Sequence, residues 1–269
     1  MLKTEKIVLQ VLKTQKDLRQ ALQKPVSAAD HLLYAAVRAE DAKALIRYGL
    51  PCVFIEKEGE ERVYGADMIV KETDDWDWKH DRQFLDRIWQ RHYRLPWTIA
   101  ETERLLIRES VPEDFMQIRM LYEEETHNPD VKPFPADNPE DAFLSYIRGQ
   151  YPLFGYGLWT VVEKKSGCVA GRMGFEDLPE PFDLPELSIL IGTKYRGRGY
   201  AKEAAKALLS YAEDELELSG IMYRTSKTNQ ASLALAEKLG FTSLKRYNLT
   251  KTKDESIYMV CLFRFWNRN

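Results

Sequence analysis

The chain has few of the features that mark disulfide-rich, zinc-binding or membrane-spanning proteins. Its 269 residues include three cysteines, Cys52, Cys168 and Cys261, which lie far apart and form no CxxC pair. A disulfide framework or a zinc site is therefore not expected. No apolar run approaches the length of a membrane span, and the first twenty residues alternate apolar and charged side chains instead of forming a signal-peptide core. These absences predict a cytoplasmic protein.

An excess of charge of one sign is also missing. The chain carries 39 basic and 42 acidic residues, for a net charge of −3, which argues against general nucleic-acid binding and against binding to an anionic membrane. The four histidines show no metal-ligand spacing, so no metal is expected. With 44% hydrophobic and 30% charged residues, the composition is that of an ordinary globular protein, long enough for about two domains.

The most informative segment runs from Glu186 to Ala212. Its first residues, 186–191, are apolar on both faces, as expected of a central strand, and residues 201–216 repeat apolar side chains at helical spacing. Between them lies Arg196-Gly197-Arg198-Gly199. Glycines let backbone N–H groups approach a ligand closely, and the first turn of a helix has unsatisfied donors and a partial positive charge.

This turn predicts a cradle for an anion that suits a pyrophosphate. Positive side chains are supplied by Lys194, Arg196, Arg198 and Lys202. The simpler interpretation is a helix-entry turn that needs positive φ. Neither the P-loop pattern nor the G-x-G-x-x-G dinucleotide fingerprint is present in this segment.

The order strand, R-G-x-G-Y-A turn and helix resembles the acetyl-CoA motif of the GNAT superfamily of N-acetyltransferases, whose loop is written Q/R-x-x-G-x-G/A. Lys194 stands at the usual Gln/Arg position, and Gly197 and Gly199 hold the two glycine positions. The form Y-R-G-R-G-Y-A is similar to the branch of ribosomal-protein N-terminal acetyltransferases. The resemblance implies acetyl-CoA as co-substrate, held by Ile189, Leu190, Ile191, Lys194, Arg196, Gly197, Arg198, Gly199, Tyr200, Ala201, Asn229 and Ser232.

A second segment follows, with Asn229-Gln230-Ala231-Ser232 opening a helix that ends in Lys238-Leu239-Gly240-Phe241. Taken alone, Asn229 is a good N-cap and Gly240 a good helix terminator. The segment also resembles the GNAT pattern N-x-x-S…E-K-L-G-F, in which the Asn contacts the pantetheine arm and the Ser, or a nearby Tyr, lies near the departing thiolate. The usual Tyr position holds Ala236, which leaves Ser232, Tyr223 or water as the general acid.

The resemblance implies direct acyl transfer to an amine. A backbone N–H near residues 189–191 is expected at the developing oxyanion. Glu186 is the first candidate for the base that deprotonates the amine and Glu176 the second, although a solvated carboxylate at a strand end explains either. Two other classes stay open, namely a CoA-binding sensor or adaptor without turnover and a nucleotide-phosphate binder.

The acceptor is predicted to be an amine whose identity the sequence does not reveal. The wall of its site is expected from residues 122–134 and from the Gly- and Tyr-rich run 149–157. The carboxylates of Glu123, Glu124, Glu125 and Asp130 could attract a cationic amine. The oligomeric state is not predicted, a homodimer being one option.

A domain boundary is predicted near Leu95-Pro96-Trp97. Residues 98–269 are expected to form the catalytic domain, of class α/β (α+β), with the GNAT fold of a mixed central sheet flanked by helices; the resemblance covers residues 101–264. A helix is predicted over 139–147.

Residues 1–97 are expected to form a small α/β accessory domain with strands at 31–37, 50–55 and 65–70 and a helix at 39–48, followed by a linker helix over 77–93. The run G-L-P-C-V…G-A-D-M-I-V is similar to the closing part of haloacid dehalogenase-like hydrolases, but the nucleophile loop D-x-D-x-[TV] is missing. A relic or docking domain is therefore predicted. The aromatic residues Trp76, Trp78, Phe84, Trp89, Tyr93 and Trp97 are interpreted as inter-domain packing.

Overall fold

A computed structural model describes residues 7–23, 26–59, 61, 63–73, 77–125, 128, 131, 137–178, 183–244 and 256–263. The chain divides into two compact units, Met1–Trp97 and Thr98–Asn269. Among the described residues, no helix combines the length and the apolar character that crossing a membrane requires.

The first unit is built on a four-stranded parallel sheet in the order β1-β2-β3-β4. Its elements are β1 Val8–Leu12, α1 Gln15–Gln23, β2 Leu32–Ala36, α2 Ala39–Arg47, β3 Cys52–Glu56, β4 Met68–Lys71 and α3 Arg82–His92. The sequence patterns predicted β2, α2, β3 and β4 but not β1 or α1. Helix α3 begins later than predicted because Asp81 caps it by accepting a hydrogen bond from the Phe84 N–H at 3.0 Å.

Two apolar layers enclose this sheet. Trp78, Leu85, Ile88 and Trp89 pack on the face formed by Leu33, Ala35, Val53 and Ile55. The opposite face packs against Ala21 of α1 and Ala42 and Leu45 of α2. The interpretation of the aromatic run as inter-domain packing was therefore wrong for Trp78 and Trp89, because these rings are buried in the core of the first unit itself. Phe84 and Tyr93 are partly buried and pack against the same core. Trp76 lies outside the described residues.

The side chain of Cys52 is fully buried in this core, and burial raises the pKa of its thiol to about 12. Because the thiolate is the reactive form, we expect iodoacetamide at pH 8 to leave Cys52 unmodified in the folded protein and to modify it in denaturant. Peptide mass spectrometry after timed labelling measures this directly. Labelling of Cys52 in the folded protein at the rate of the partly exposed Cys168 would contradict the expectation.

The second unit contains an eight-stranded mixed sheet in the order β11-β12-β10-β9-β8-β7-β6-β5. Its strands are β5 Thr98–Glu101, β6 Leu105–Arg108, β7 Leu158–Glu163, β8 Val169–Glu176, β9 Glu186–Ile191, β10 Gly220–Ser226, β11 Thr242–Ser243 and β12 Ser256–Leu262. Its helices are α4 Phe115–Glu123, α5 Pro139–Phe154, α6 Tyr200–Asp214 and α7 Gln230–Lys238. The predicted mixed sheet flanked by helices is confirmed.

Helices cover both faces of the strands at the centre of this sheet. Tyr211 of α6 packs edge-on against Trp159 of β7, with ring centroids 5.6 Å apart. On the other face, residues of α4 and α5 form a cluster with Val169 of β8 and Leu190 of β9. Side chains alternate along a strand, so even-numbered residues of β9 face α4 and α5 while odd-numbered ones face α6.

Helix α5 is about two turns longer than predicted. It runs to Phe154 and ends where Gly155 adopts φ +73° and donates its N–H to the Tyr151 carbonyl at 3.1 Å. The phenol of Tyr151 is buried and donates to the Leu158 carbonyl at 2.7 Å. Tertiary contacts of this kind override the helix-breaking tendency of the Gly and Pro residues in the segment. The predicted wall formed by 149–157 is therefore mostly helix.

Candidate active site

Strands β9 and β10 separate and leave a wedge in the sheet. All residues of both strands are described, and they pair at one position, Glu186 with Met222, in the parallel orientation. There the Met222 N–H donates to the Pro185 carbonyl at 2.8 Å. Beyond this point a cavity of about 660 Å³ lies between residues 186–191 of β9 and 223–225 of β10.

The backbone of β9 presents hydrogen-bond donors to this cavity. The Gly192 N–H, just after β9, donates to the Ala170 carbonyl of β8, so the N–H groups of even-numbered residues of β9 point toward β8. The N–H groups of Ile189 and Ile191 consequently point toward the wedge, whereas that of Leu190 points toward β8. All three residues line the cavity.

The glycine turn forms another side of the cavity. Gly197 has φ +72° and Gly199, the N-cap of α6, has φ +80°, a backbone region that residues with a Cβ rarely adopt. The cavity is lined at this end by Arg196, Gly197, Gly199, Tyr200, Ala201 and Lys202. The residues of the first helical turn place their N–H groups here, in the arrangement that suits an anion.

The predicted cluster of four cations is only partly assembled at the cavity. Arg196 and Lys202 are among its described lining residues, whereas Lys194 and Arg198 are not. The Lys194 ammonium lies 4.8 Å from the centre of the Tyr195 ring. Arg198 is drawn to Glu163, with the Arg198 Nη1 atom 3.5 Å from the carboxylate. The anion-binding role predicted for Lys194 and Arg198 therefore stays a prediction.

Arg196 is held by two acceptors. Its Nε–H donates to the Ile191 carbonyl at 3.0 Å, and its Nη2 atom pairs with the buried carboxylate of Glu125. Glu123 pairs with Arg119, and Glu124 accepts the Thr193 N–H, a bond that lowers the pKa of Glu124. The acidic cluster predicted to attract an amine is therefore occupied by the protein's own donors, and Asp130 lies outside the described residues.

Two carboxylates lie side by side at the mouth of the wedge. Glu176 and Glu186 are cross-strand partners on β8 and β9, and both line the cavity. The Glu186 carboxylate is buried, and its Oε1 atom lies 3.3 Å from Nε of Arg224 on β10. Directly opposed like charges repel, so the Arg224 guanidinium makes the pair tolerable. Sequence reasoning missed Arg224, because its partner lies on another strand.

Helix α7 forms the remaining wall. The Asn229 side-chain oxygen accepts the Ser232 N–H at 3.1 Å, so the predicted N-cap is confirmed. Both residues line the cavity together with Ala231, Ala234, Leu235 and Lys238. Ala236 is buried at 1% exposure and faces the core. Tyr223 of β10, a candidate acid, lines the cavity.

The side facing α4 and α5 is lined by Tyr122, Glu125, Asn128, Val131 and Leu158. The first four lie in the predicted acceptor segment 122–134, of which residues 126–127, 129–130 and 132–134 lie outside the described part of the chain. No sequence signal pointed to Tyr195 or Thr225, which also line the cavity; only the folding of the turn and of β10 brings them there.

Comparison with known proteins matches this unit to one family and to several relatives. The family model described as acetyltransferase (GNAT) domain matches residues 104–242. The uncharacterised N-acetyltransferase YjdG of Bacillus subtilis is 31% identical over 87 residues, 32% of this chain and 52% of that protein. The FsC-acetyl coenzyme A-N(2)-transacetylase of Aspergillus fumigatus is 34% identical over 121 residues, 43% of this chain and 52% of that protein. The chain spans about half the length of the curated relatives it matches.

Among solved structures, an acetyltransferase of Agrobacterium tumefaciens is similar with a TM-score of 0.51 and 27% identity, over 61% of this chain and 94% of that one. The family match begins at residue 104, so the haloacid dehalogenase resemblance of the first unit stays a prediction. The match covers just over half of the 269 residues and contains the glycine turn, the wedge and helix α7. The chain therefore belongs to the GNAT acetyltransferase family.

Proposed function

We propose that this protein is an N-acetyltransferase that transfers the acetyl group of acetyl-CoA directly to a primary amine, either a protein N-terminus or a small molecule. The observation that carries the proposal is a single cavity that connects the glycine turn, the open side of β9 and the carboxylates of Glu176 and Glu186. Family membership supports acetyl-CoA as the donor, as does the name of the Aspergillus relative, which contains acetyl coenzyme A.

The residues of the cavity suit the parts of acetyl-CoA in order. The backbone from Gly197 to Ala201 and the cations Arg196 and Lys202 would hold the pyrophosphate. Asn229 and Ser232 at the start of α7 would contact the pantetheine arm. The N–H groups of Ile189 and Ile191 would stabilise the negative charge that develops on the thioester oxygen during attack.

The acceptor amine must lose a proton before it attacks. An α-amine titrates near ~8 and a lysine near ~10, so at neutral pH a base is needed to supply the free amine. We assign this role to Glu186, with Glu176 as the second candidate. The Glu186 carboxylate lines the cavity, and its Oε1 atom lies 3.3 Å from Nε of Arg224. Ser232, Tyr223 or water would return a proton to the departing thiolate.

The acceptor approaches from the side lined by Tyr122, Asn128 and Leu158. The ribosomal-protein branch that the turn resembles makes protein N-termini the first acceptors to test, before polyamines, aminoglycosides and free amino acids. A CoA-binding sensor or adaptor is the second candidate function, favoured by one observation: Ala236 is buried and supplies no hydroxyl to the cavity.

Release of free CoA in the presence of amines separates the two functions. We expect release that depends on one acceptor class and that rises well above hydrolysis in buffer, with the mass of the product increased by one acetyl group. Binding of acetyl-CoA without amine-dependent release would support the sensor. Displacement of acetyl-CoA by ATP at comparable concentration would instead support a binder of nucleotide phosphates.

A further inference from the structure

We infer that Arg104 is the positioning residue of the pyrophosphate-binding turn, acting from the side opposite the phosphate. The inference rests on the proposed function, since it concerns how the same site is held in its binding conformation. Arg104 lies between β5 and β6, far from the turn in the sequence, and it is not one of the described residues that line the cavity.

The Arg104 guanidinium connects the turn to the helix that follows it. Its Nη1–H donates to the Arg198 carbonyl at 2.9 Å, and its Nε–H donates to the Glu203 carboxylate at 2.7 Å. The Nη2 atom also pairs with Glu203. The same guanidinium lies over the Tyr200 ring, 4.6 Å from its centre. One planar group thus contacts three successive parts of the turn and of the first helical turn.

The bond to the Arg198 carbonyl decides which way the next peptide unit faces. In a trans peptide the C=O and the following N–H point in opposite directions. When the Arg198 carbonyl points at Arg104, the Gly199 N–H points away from Arg104, toward the cavity that Gly199 lines. The opposite orientation would present a carbonyl oxygen to the phosphate and repel it. Gly199, at φ +80°, has no Cβ to restrict the orientation of the peptide unit between Arg198 and Gly199. The hydrogen bond from Arg104 therefore selects the orientation that suits phosphate binding.

Glu203 keeps the guanidinium in place. Besides the side chain of Arg104, its carboxylate accepts the Arg104 backbone N–H at 3.0 Å and the Thr102 hydroxyl at 2.6 Å. Burial raises the pKa of Glu203, but these hydrogen bonds outweigh burial and lower the pKa below its ordinary value. The carboxylate lies in the first turn of α6, where an unpaired negative charge would weaken anion binding, and Arg104 neutralises it.

Arg104→Met tests the inference, with two thioester donors as probes. Acetyl-CoA carries the pyrophosphate, whereas S-acetylpantetheine carries the same reacting group without it. We expect the KM for acetyl-CoA to rise about 10- to 100-fold, because an anion contact misplaced by a reoriented peptide loses most of its strength. The KM for S-acetylpantetheine and the kcat with either donor should stay within about twofold of wild type, because the thioester site is not touched.

Two further variants control the experiment. Arg104→Lys keeps the charge but cannot span Glu203 and the Arg198 carbonyl at once, so an intermediate rise in the acetyl-CoA KM is expected. Arg119→Met breaks an exposed ion pair with Glu123 on α4 and should leave both donors unaffected. The midpoint of thermal unfolding of every variant reports whether it is folded.

The outcomes are distinct. Equal losses with both donors in a folded Arg104→Met variant, or no loss with either, would overturn the inference. If Arg104→Met and Arg104→Lys do not fold, the Glu203→Gln variant repeats the test, because it removes the carboxylate that holds the Arg104 guanidinium in place. Absence of acetyl-CoA binding or turnover in the wild type would count against the proposed function itself, which separates the two failures.

Discussion

Acetyl-CoA binding is expected to fall at least about 100-fold when Gly199 is replaced by glutamate. Two effects combine. At φ +80° a residue with a Cβ costs ~1–2 kcal/mol, so the turn relaxes out of the conformation that aims its N–H groups. The Cβ of the new side chain would lie 3.6 Å from the Arg104 Nη2 atom, so its carboxylate competes with Glu203 for the guanidinium and adds negative charge to the turn. Calorimetric titration of acetyl-CoA measures the loss.

A matched variant separates binding from folding. Gly167 lies at the exposed turn between β7 and β8 with φ +68° and with open space where a Cβ would lie, so Gly167→Glu carries the same charge and similar backbone strain away from the cavity. We expect both variants to lose comparable thermal stability and Gly167→Glu to keep its affinity. If the folded Gly199→Glu protein binds acetyl-CoA with an affinity within about threefold of wild type, the pyrophosphate does not bind at this turn.

Replacing Glu186 with glutamine is expected to lower kcat by about 100- to 1,000-fold with little change in the KM for acetyl-CoA. Glutamine keeps the size of the side chain but cannot accept the amine proton. The deficit should shrink as the pH rises toward the pKa of the acceptor amine, because the solvent then supplies more of the free amine. Initial rates of CoA release across this pH range measure both effects.

The ion pair with Arg224 calls for its own control, because Glu186→Gln also leaves a guanidinium without its partner. The double variant Glu186→Gln with Arg224→Gln removes that charge as well. If Glu186 is the base, the double variant stays as slow as the single one. Recovery of kcat in the double variant would mean that Glu186 serves only to balance the charge of Arg224. A larger loss of kcat in Glu176→Gln than in Glu186→Gln would identify Glu176 as the base.

Local patterns in the sequence were sufficient for several elements of the site. An apolar strand, a turn with two glycines and an amphipathic helix are each set by neighbouring residues, and the structure places them at 186–191, 197–199 and 200–214. The same holds for the Asn229 cap and for the hairpin of β7 and β8, whose signals span only a few residues. Such signals depend on backbone conformation and on side-chain periodicity, which act over short distances.

Side-chain direction at the turn could not be derived in this way. The sequence does not distinguish the four cations of the turn, Lys194, Arg196, Arg198 and Lys202. Among the described residues that line the cavity, however, only Arg196 and Lys202 of these four are found. Arg198 instead faces Glu163, and Lys194 lies over Tyr195. These choices depend on partners that other strands bring near the turn. The length of α5 was missed for a similar reason, since Tyr151 is anchored to Leu158 and Ser110.

By itself, therefore, the sequence determined the strand, turn and helix that carry the family motif, the φ-positive glycines and the small parallel α/β unit at the start of the chain. Only the tertiary structure decided where β9 and β10 part, that Glu176 and Glu186 face each other beside Arg224, and that Arg104 holds the Arg198 carbonyl from 94 residues away. The physical reason is the range of the interactions. Local conformation is encoded in adjacent residues, whereas a wedge, an ion pair between strands and a guanidinium behind a turn exist only after distant segments have packed.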